Sequence, residues 1–126
     1  MPYEPIESRR VYQRAEAITD RVWESVRGWG WFLKQTIAGQ FTRAADSIGA
    51  NVAGSGGRYH PGEVKKFLDY ARGSLRETVY RVRRWLARGL IDQLVSDSLG
   101  AESEQLSKEI NQSIAFQNKR KDKDAE

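Results

Sequence analysis

The chain has 126 residues, with 21 lysines and arginines, 17 aspartates and glutamates, one histidine and no cysteine, for a formal net charge of +4. That length makes one ordinary domain around a single core, and the lack of cysteine excludes a disulfide framework and any thiolate metal site. No run approaches membrane-spanning length and the opening Met-Pro-Tyr-Glu-Pro-Ile-Glu-Ser-Arg-Arg lacks the apolar core of a signal peptide, so a soluble cytoplasmic protein without membrane contact is expected.

The distribution of charge says more than its sum. Residues 1–42 hold six basic and five acidic side chains, residues 43–88 ten and four, and residues 89–126 five and eight, giving partial charges of +1, +6 and −3. A middle block this basic creates a local positive field that favours phosphate-bearing or otherwise acidic partners. The alternative at this level is a set of solvated helix faces that keep the protein soluble.

Residues 1–7, with two of the three prolines, read as an extended lead-in. Ser8 is a suitable N-cap for a first helix with Val11, Ala15, Ile18, Val22 and Val26 on one face and Glu16, Asp20 and Glu24 on the other. Gly28-Trp29-Gly30-Trp31 then breaks the helix; its tryptophans are lids on the end of a bundle or, alternatively, platforms for base stacking.

The second helix is predicted from Phe32 to Ala53, where Leu33, Ile37, Phe41, Ala44, Ala45, Ile48 and Val52 recur every three or four residues. Beside that stripe runs a polar row, Gln40, Ser47 and Asn51, suited to cross-helix hydrogen bonds. The glycine-rich connection from Gly54 to Gly62 matches neither GxxxxGK[ST] nor GxGxxG and follows a helix where those motifs follow a strand, so no nucleotide site is assigned to it. Pro61 suits the first turn of the next helix. His60 has no second histidine or cysteine with which to bind a metal, which leaves it a loop or capping role.

The third helix, from Pro61 to Arg88, repeats the apolar spacing at Val64, Leu68, Ala71, Leu75, Val79, Val82 and Leu86. With Leu75 at the centre of the buried face, about 100° per residue places Lys65, Arg72, Arg76 and Arg83 along one flank and Arg81, Arg84 and Arg88 around the back. Phe67 and Trp85 project together on the opposite flank, an apolar surface wider than one core needs, and are the candidate oligomer contacts. Gly89 ends this helix. Leu94, Val95, Leu99, Leu106, Ile110 and Ile114 support a fourth from Ile91 to Asn118 despite Gly100 in its interior, leaving residues 119–126 as a charged, disordered tail.

No alternating strand pattern of useful length occurs, and four helices with short connections predict an all-α fold: an antiparallel up-down-up-down four-helix bundle over residues 8–118. No chemistry accompanies it. Ser74 and Glu77 stand one turn apart without a base or oxyanion donor, the carboxylate–histidine motifs of di-iron bundles are missing, and no motif calls for a cofactor or metal, so an enzyme is not expected.

The run Gln40-Phe41-Thr42-Arg43-Ala44-Ala45-Asp46-Ser47-Ile48-Gly49-Ala50-Asn51-Val52-Ala53, followed by Glu63-Val64-Lys65-Lys66-Phe67-Leu68-Asp69-Tyr70-Ala71-Arg72-Gly73-Ser74-Leu75-Arg76-Glu77, resembles the four-helix-bundle family first met in intervening sequences of bacterial 23S ribosomal RNA genes. That family reads approximately Q-x-x-R-A-A-x-S-I-x-x-N-I-A-E-G, a short loop with an arginine, then E-F-x-x-F-L-x-x-A-x-G-S-x-x-E. Gln40, Arg43, Ala44, Ala45, Ser47, Ile48, Asn51, Ala53, Arg58, Phe67, Leu68, Ala71, Gly73, Ser74 and Glu77 stand at matching positions, while Gly54-Ser55 replaces the family's Glu-Gly. The resemblance implies a ring-like homo-oligomer, typically a pentamer, with a basic surface. The chain is also similar to the accessory variability proteins of diversity-generating retroelements, bundles that bind nucleic acid and associate with a reverse transcriptase.

These readings converge on a non-enzymatic, oligomeric nucleic-acid-binding protein, for RNA or an RNA/DNA intermediate in preference to duplex DNA. Arg72, Arg76, Arg81, Arg83, Arg84 and Arg88 are its expected phosphate contacts, with Arg43 and Arg58 as further candidates. The alternative is a protein-binding adaptor for a reverse transcriptase in a diversity-generating retroelement.

Overall fold

The computed structural model describes residues 9–125, so the lead-in at 1–7 and the Ser8 cap lie outside the described residues. Within them all regular structure is helical, in four helices: α1 (Arg10–Arg27), α2, α3 (Pro61–Ala87) and α4 (Gln93–Ala125). Helix α2 is built from Trp31–Leu33, one π-helical turn at Lys34–Ala38, and Gly39–Gly56 in succession. Neighbours pack in the cyclic order α1, α2, α3, α4 and back to α1, so the core lies between all four. No described helix is long and apolar enough to cross a membrane.

The buried positions follow alternating steps of three and four, the spacing that keeps one seam of a straight helix facing its neighbours. In α2 the alternating series is Phe41, Ala45, Ile48, Val52 and Ser55, with Ala38 and Ala44 buried beside it; in α3 it is Val64, Leu68, Ala71, Leu75, Thr78, Val82 and Trp85. This regular seam departs from the expected stripe in the second half of α3, where Val79 and Leu86 are only partly buried and Thr78 and Trp85 take the core positions. At about 1.5–3 kcal/mol for each large side chain fully buried, the seam outweighs any surface ion pair, worth about 0–1 kcal/mol.

The first turn of α2 also departs from expectation. The π turn carries one extra residue per turn, and Ala38 is buried where Leu33 and Ile37 were expected to be. Thr36 Oγ1 donates to Phe32 O at 2.8 Å inside this segment, a back-bond that competes with the regular ladder.

Helix ends are set by local chemistry. Helix α2 runs beyond Ala53 through Gly54, Ser55 and Gly56, leaving residues 57–60 as the connection to α3. Pro61 occupies the first turn of α3 as expected, behind His60 at the N-cap position; no side chain caps that terminus. At the other end Gly89 adopts φ 73°, the Gly89 amide bonds Leu86 O and the Leu90 amide bonds Trp85 O, which together form a Schellman motif. Helix α4 starts two residues later than Ile91 because Asp92 caps it, its carboxylate accepting from the Val95 amide at 2.8 Å. It also extends past the expected end at Asn118 to Ala125. Arg120 ties this segment down, donating to Gln117 Oε1 at 2.8 Å and to the carbonyl of Tyr59 at 3.2 Å.

One end of the bundle is closed by aromatic rings. Trp29 stacks on Phe41 with centroids 6.3 Å apart, and both meet Trp85 edge-on. Trp29 Nε1 donates to Leu90 O at 3.2 Å, joining the two connections at that end. The lid reading therefore holds for Trp29, whereas Trp31 is 76% exposed. Helices α1 and α4 are joined by Arg14, which pairs with Glu102 at 3.0 Å and with Glu109. Partial burial disfavours the guanidinium charge, but hydrogen bonds to Glu109 and Glu102 and their negative charges outweigh it and hold Arg14 above its ordinary pKa.

Candidate nucleic-acid interface

The arginines of α3 leave the helix in three directions, and their partners show it. Arg72 reaches toward α4, donating to Asn111 Oδ1 at 3.2 Å while its other nitrogen pairs with Asp69 at 2.9 Å. Arg81 reaches toward α2, donating to Gln40 Oε1 at 3.0 Å and pairing with Glu77 at 3.3 Å. Arg88, at the C-cap, lays its guanidinium 4.9 Å from the centroid of the Trp85 ring. The six expected contacts are therefore not one continuous patch: three of them are held by groups of the same chain.

The remaining three are different. Arg76, Arg83 and Arg84 are exposed and, among the described residues, carry neither an ion pair nor a hydrogen bond. They occupy the outer surface of α3 within the segment of net charge +6. A guanidinium left in water keeps all five donors for an incoming anion. Of the two further candidates, Arg43 is exposed on α2 at a shallow groove shared with Gln40, Ser47, Glu77 and Arg81. Arg58 stands in the connection before α3 with its guanidinium 4.5 Å from the centroid of Phe67.

Between α2 and α3 the family-motif residues meet as a polar seam. Ser47 and Ser74 share a hydrogen bond at 3.1 Å, Asn51 Nδ2 donates to Ser47 O at 2.8 Å, and Thr78 Oγ1 donates to Ser74 O at 2.9 Å. The expected row Gln40, Ser47 and Asn51 thus serves two cross-helix bonds and one within α2. Ser74 and Glu77 are each engaged, with Ser47 and Arg81 respectively. Among the described residues no group of three or more His, Asp or Glu side chains is placed to hold a metal ion.

The two candidate oligomer contacts separate. Trp85 is 2% exposed, packed against Phe41 and Trp29 inside its own protomer, and so does not contribute to an outer surface. The three-four alternation from Leu68 through Leu75 and Val82 leads directly to it, a signal masked by the looser stripe through Leu86. Phe67 is half-buried, edge-on to Tyr70, beneath Arg58 and close against Gly54 of α2. Two features escaped the sequence reading. The Arg14–Glu102–Glu109 network spans residues almost a hundred positions apart, beyond any local pattern. Tyr80 is exposed among the unpaired arginines, and its spacing of four from both Arg76 and Arg84 was visible in the sequence.

No curated protein matches the chain. A family model does: that of the 23S rRNA-intervening sequence protein covers residues 7–112, which takes in α1 to α3 and the greater part of α4. With that match across most of its length and the motif residues gathered along the α2–α3 seam, the chain belongs to the family of 23S rRNA-intervening sequence proteins.

Proposed function

We propose that this is a non-enzymatic, oligomeric nucleic-acid-binding protein of the cytoplasm that holds RNA, or an RNA/DNA intermediate, on the outer surface of α3. The observation that carries this reading is the group Arg76, Arg83 and Arg84, three exposed guanidiniums on one rigid helix that, among the described residues, form no ion pair with a carboxylate. Arg43 adds a fourth from α2. Arg72, Arg81, Arg88 and Arg58 contribute to the field while keeping partners of their own. The scaffold is an antiparallel up-down-up-down bundle; the pairings Gln40 with Arg81, Ser47 with Ser74 and Gly54 with Phe67, which run in opposite senses along α2 and α3, support it. A ring-like homopentamer, as the family resemblance implies, repeats a modest patch and raises avidity without new contacts. Phe67, half-buried beneath Arg58, is its candidate contact.

The test is affinity for RNA across a salt series. Each phosphate contact contributes about 0.7–0.9 to the slope of log K against log salt, so Arg76→Gln, Arg83→Gln and Arg84→Gln together should lower the slope by about 2. A flat salt response in the parent protein would remove the hypothesis.

A second reading, an adaptor that docks on a reverse transcriptase, is favoured by one observation. Trp31 and Phe32, adjacent at the start of α2, are 76% and 69% exposed, apolar surface of the kind that marks protein contacts. A partner that survives nuclease treatment in a pull-down, and is lost with Trp31→Ser, would support the adaptor.

A further inference from the structure

Tyr80 stands in the middle of the unpaired arginines of α3. It is 59% exposed, and among the described residues its ring and hydroxyl have no aromatic, cationic or hydrogen-bonding partner. Residues four apart are neighbours on a helix surface, with Cβ atoms about 5–6 Å apart. Arg76, Tyr80 and Arg84 therefore form a single ridge about 12 Å long along the axis, and Arg83, three residues after Tyr80, flanks it. Helix α3 is packed on both sides by α2 and α4, which holds the ridge rigid.

We infer that this ridge is a stacking platform for an unpaired base, with the Tyr80 ring against the base and Arg76, Arg83 and Arg84 on the neighbouring phosphates. Its partner is a single-stranded segment of nucleic acid in preference to a duplex. A duplex buries its base faces in its own stack and offers a convex ridge only phosphates, which would use the arginines and leave Tyr80 idle. A single strand offers both phosphates and π-faces, and stacking tolerates any base. This rests on the nucleic-acid reading above and narrows it. An acidic protein surface would satisfy the guanidiniums but has no requirement for a planar ring between them.

The experiment uses the full chain, with a single-stranded RNA of roughly ten nucleotides carrying 2-aminopurine, a hairpin duplex of matched length, and polyglutamate as an acidic-protein probe, all at one salt concentration. Tyr80→Phe keeps the ring and Tyr80→Leu keeps apolar bulk without it; since Tyr80 is exposed, both should fold, which circular dichroism checks. Quenching of 2-aminopurine on binding is expected, with Tyr80→Phe within about twofold of the parent and Tyr80→Leu weaker by about tenfold for the single strand alone. Equal affinity for hairpin and single strand together with an indifferent Tyr80→Leu would overturn the inference and leave the nucleic-acid reading standing. Binding to neither RNA would overturn both. Tighter binding to polyglutamate than to RNA, unchanged in Tyr80→Leu, would assign the ridge to a protein partner and also overturn the inference.

Discussion

At Gly54 the missing side chain is what lets the Phe67 ring sit against α2: a Cβ there would lie 2.9 Å from Cδ1 and 3.1 Å from Cε1 of that ring. Two effects oppose one another on Gly54→Ala. Overpacking costs about 1–3 kcal/mol, while replacing glycine within a helix gains about 1 kcal/mol. The clash should win in the parent, so Gly54→Ala should destabilise by roughly 1 kcal/mol, whereas in a Phe67→Ala background it should stabilise by roughly 0.5–1 kcal/mol. Urea denaturation of the four proteins of this cycle measures both, and the same sign in the two backgrounds would show that the contact does not matter. Trp85 gives a larger effect. Buried with Phe41 and Trp29, its loss in Trp85→Ala should cost about 3–5 kcal/mol. If urea midpoints moved little while the protein dissociated, Trp85 would belong to a subunit interface after all.

At the scale of the helix, two glycines predict opposite responses to one substitution. Gly89 has φ 73° in the turn that ends α3, and an alanine forced into that region costs about 1–2 kcal/mol. Gly100 lies inside α4 with ordinary backbone, exposed, and a Cβ there would meet nothing within 4 Å. Gly100→Ala should therefore raise the melting temperature, by a gain of about 1 kcal/mol, and Gly89→Ala should lower it. Calorimetry of the two variants side by side tests the assignment of helix ends, because both sequences read simply as glycine after or within an apolar stripe. The periodicity of α1 and of α2 from Phe41 onward was legible from spacing alone. The π turn at Lys34–Ala38 was not, because a single added residue per turn leaves no mark in composition, only a shift of burial to Ala38.

For the whole molecule, the open question of partners becomes a question of which exposed surface is covered in solution. Trp31, Phe32 and Leu94 toward one end of the bundle, and Trp23, Tyr59, Tyr70 and Phe116 elsewhere, are exposed apolar side chains that a partner could remove from water. A stable contact buries about 800 Å² per partner, more than any one of these residues supplies, so several must act together. Light scattering of the purified chain should give a pentamer of the 14.4 kDa protomer, independent of nucleic acid. A monomeric mass across concentration would remove the ring and the avidity that depends on it.

The linear order of residues by itself determined four helical stripes in outline, though not the core places of Ala38, Thr78 and Trp85 or the exposure of Leu94, together with the breaks between them, the basic middle block and the family motif, because each of these repeats over short separations at the period of a helix or appears as a local count. Tertiary structure alone decided which arginines reach another helix; the pairs Arg72–Asp69 and Arg81–Glu77 lie three and four residues apart along α3 itself. Whether Arg72 meets Asn111, Arg81 meets Gln40, or Arg76, Arg83 and Arg84 go without a partner among the described residues depends on helices brought alongside one another from distant parts of the chain. The same holds for Trp85, whose place in the core rests on Phe41 and Trp29 arriving from other elements, and for Arg14, whose two carboxylates lie on α4. A side chain's charge or size is local information; what neutralises or buries it is set by packing.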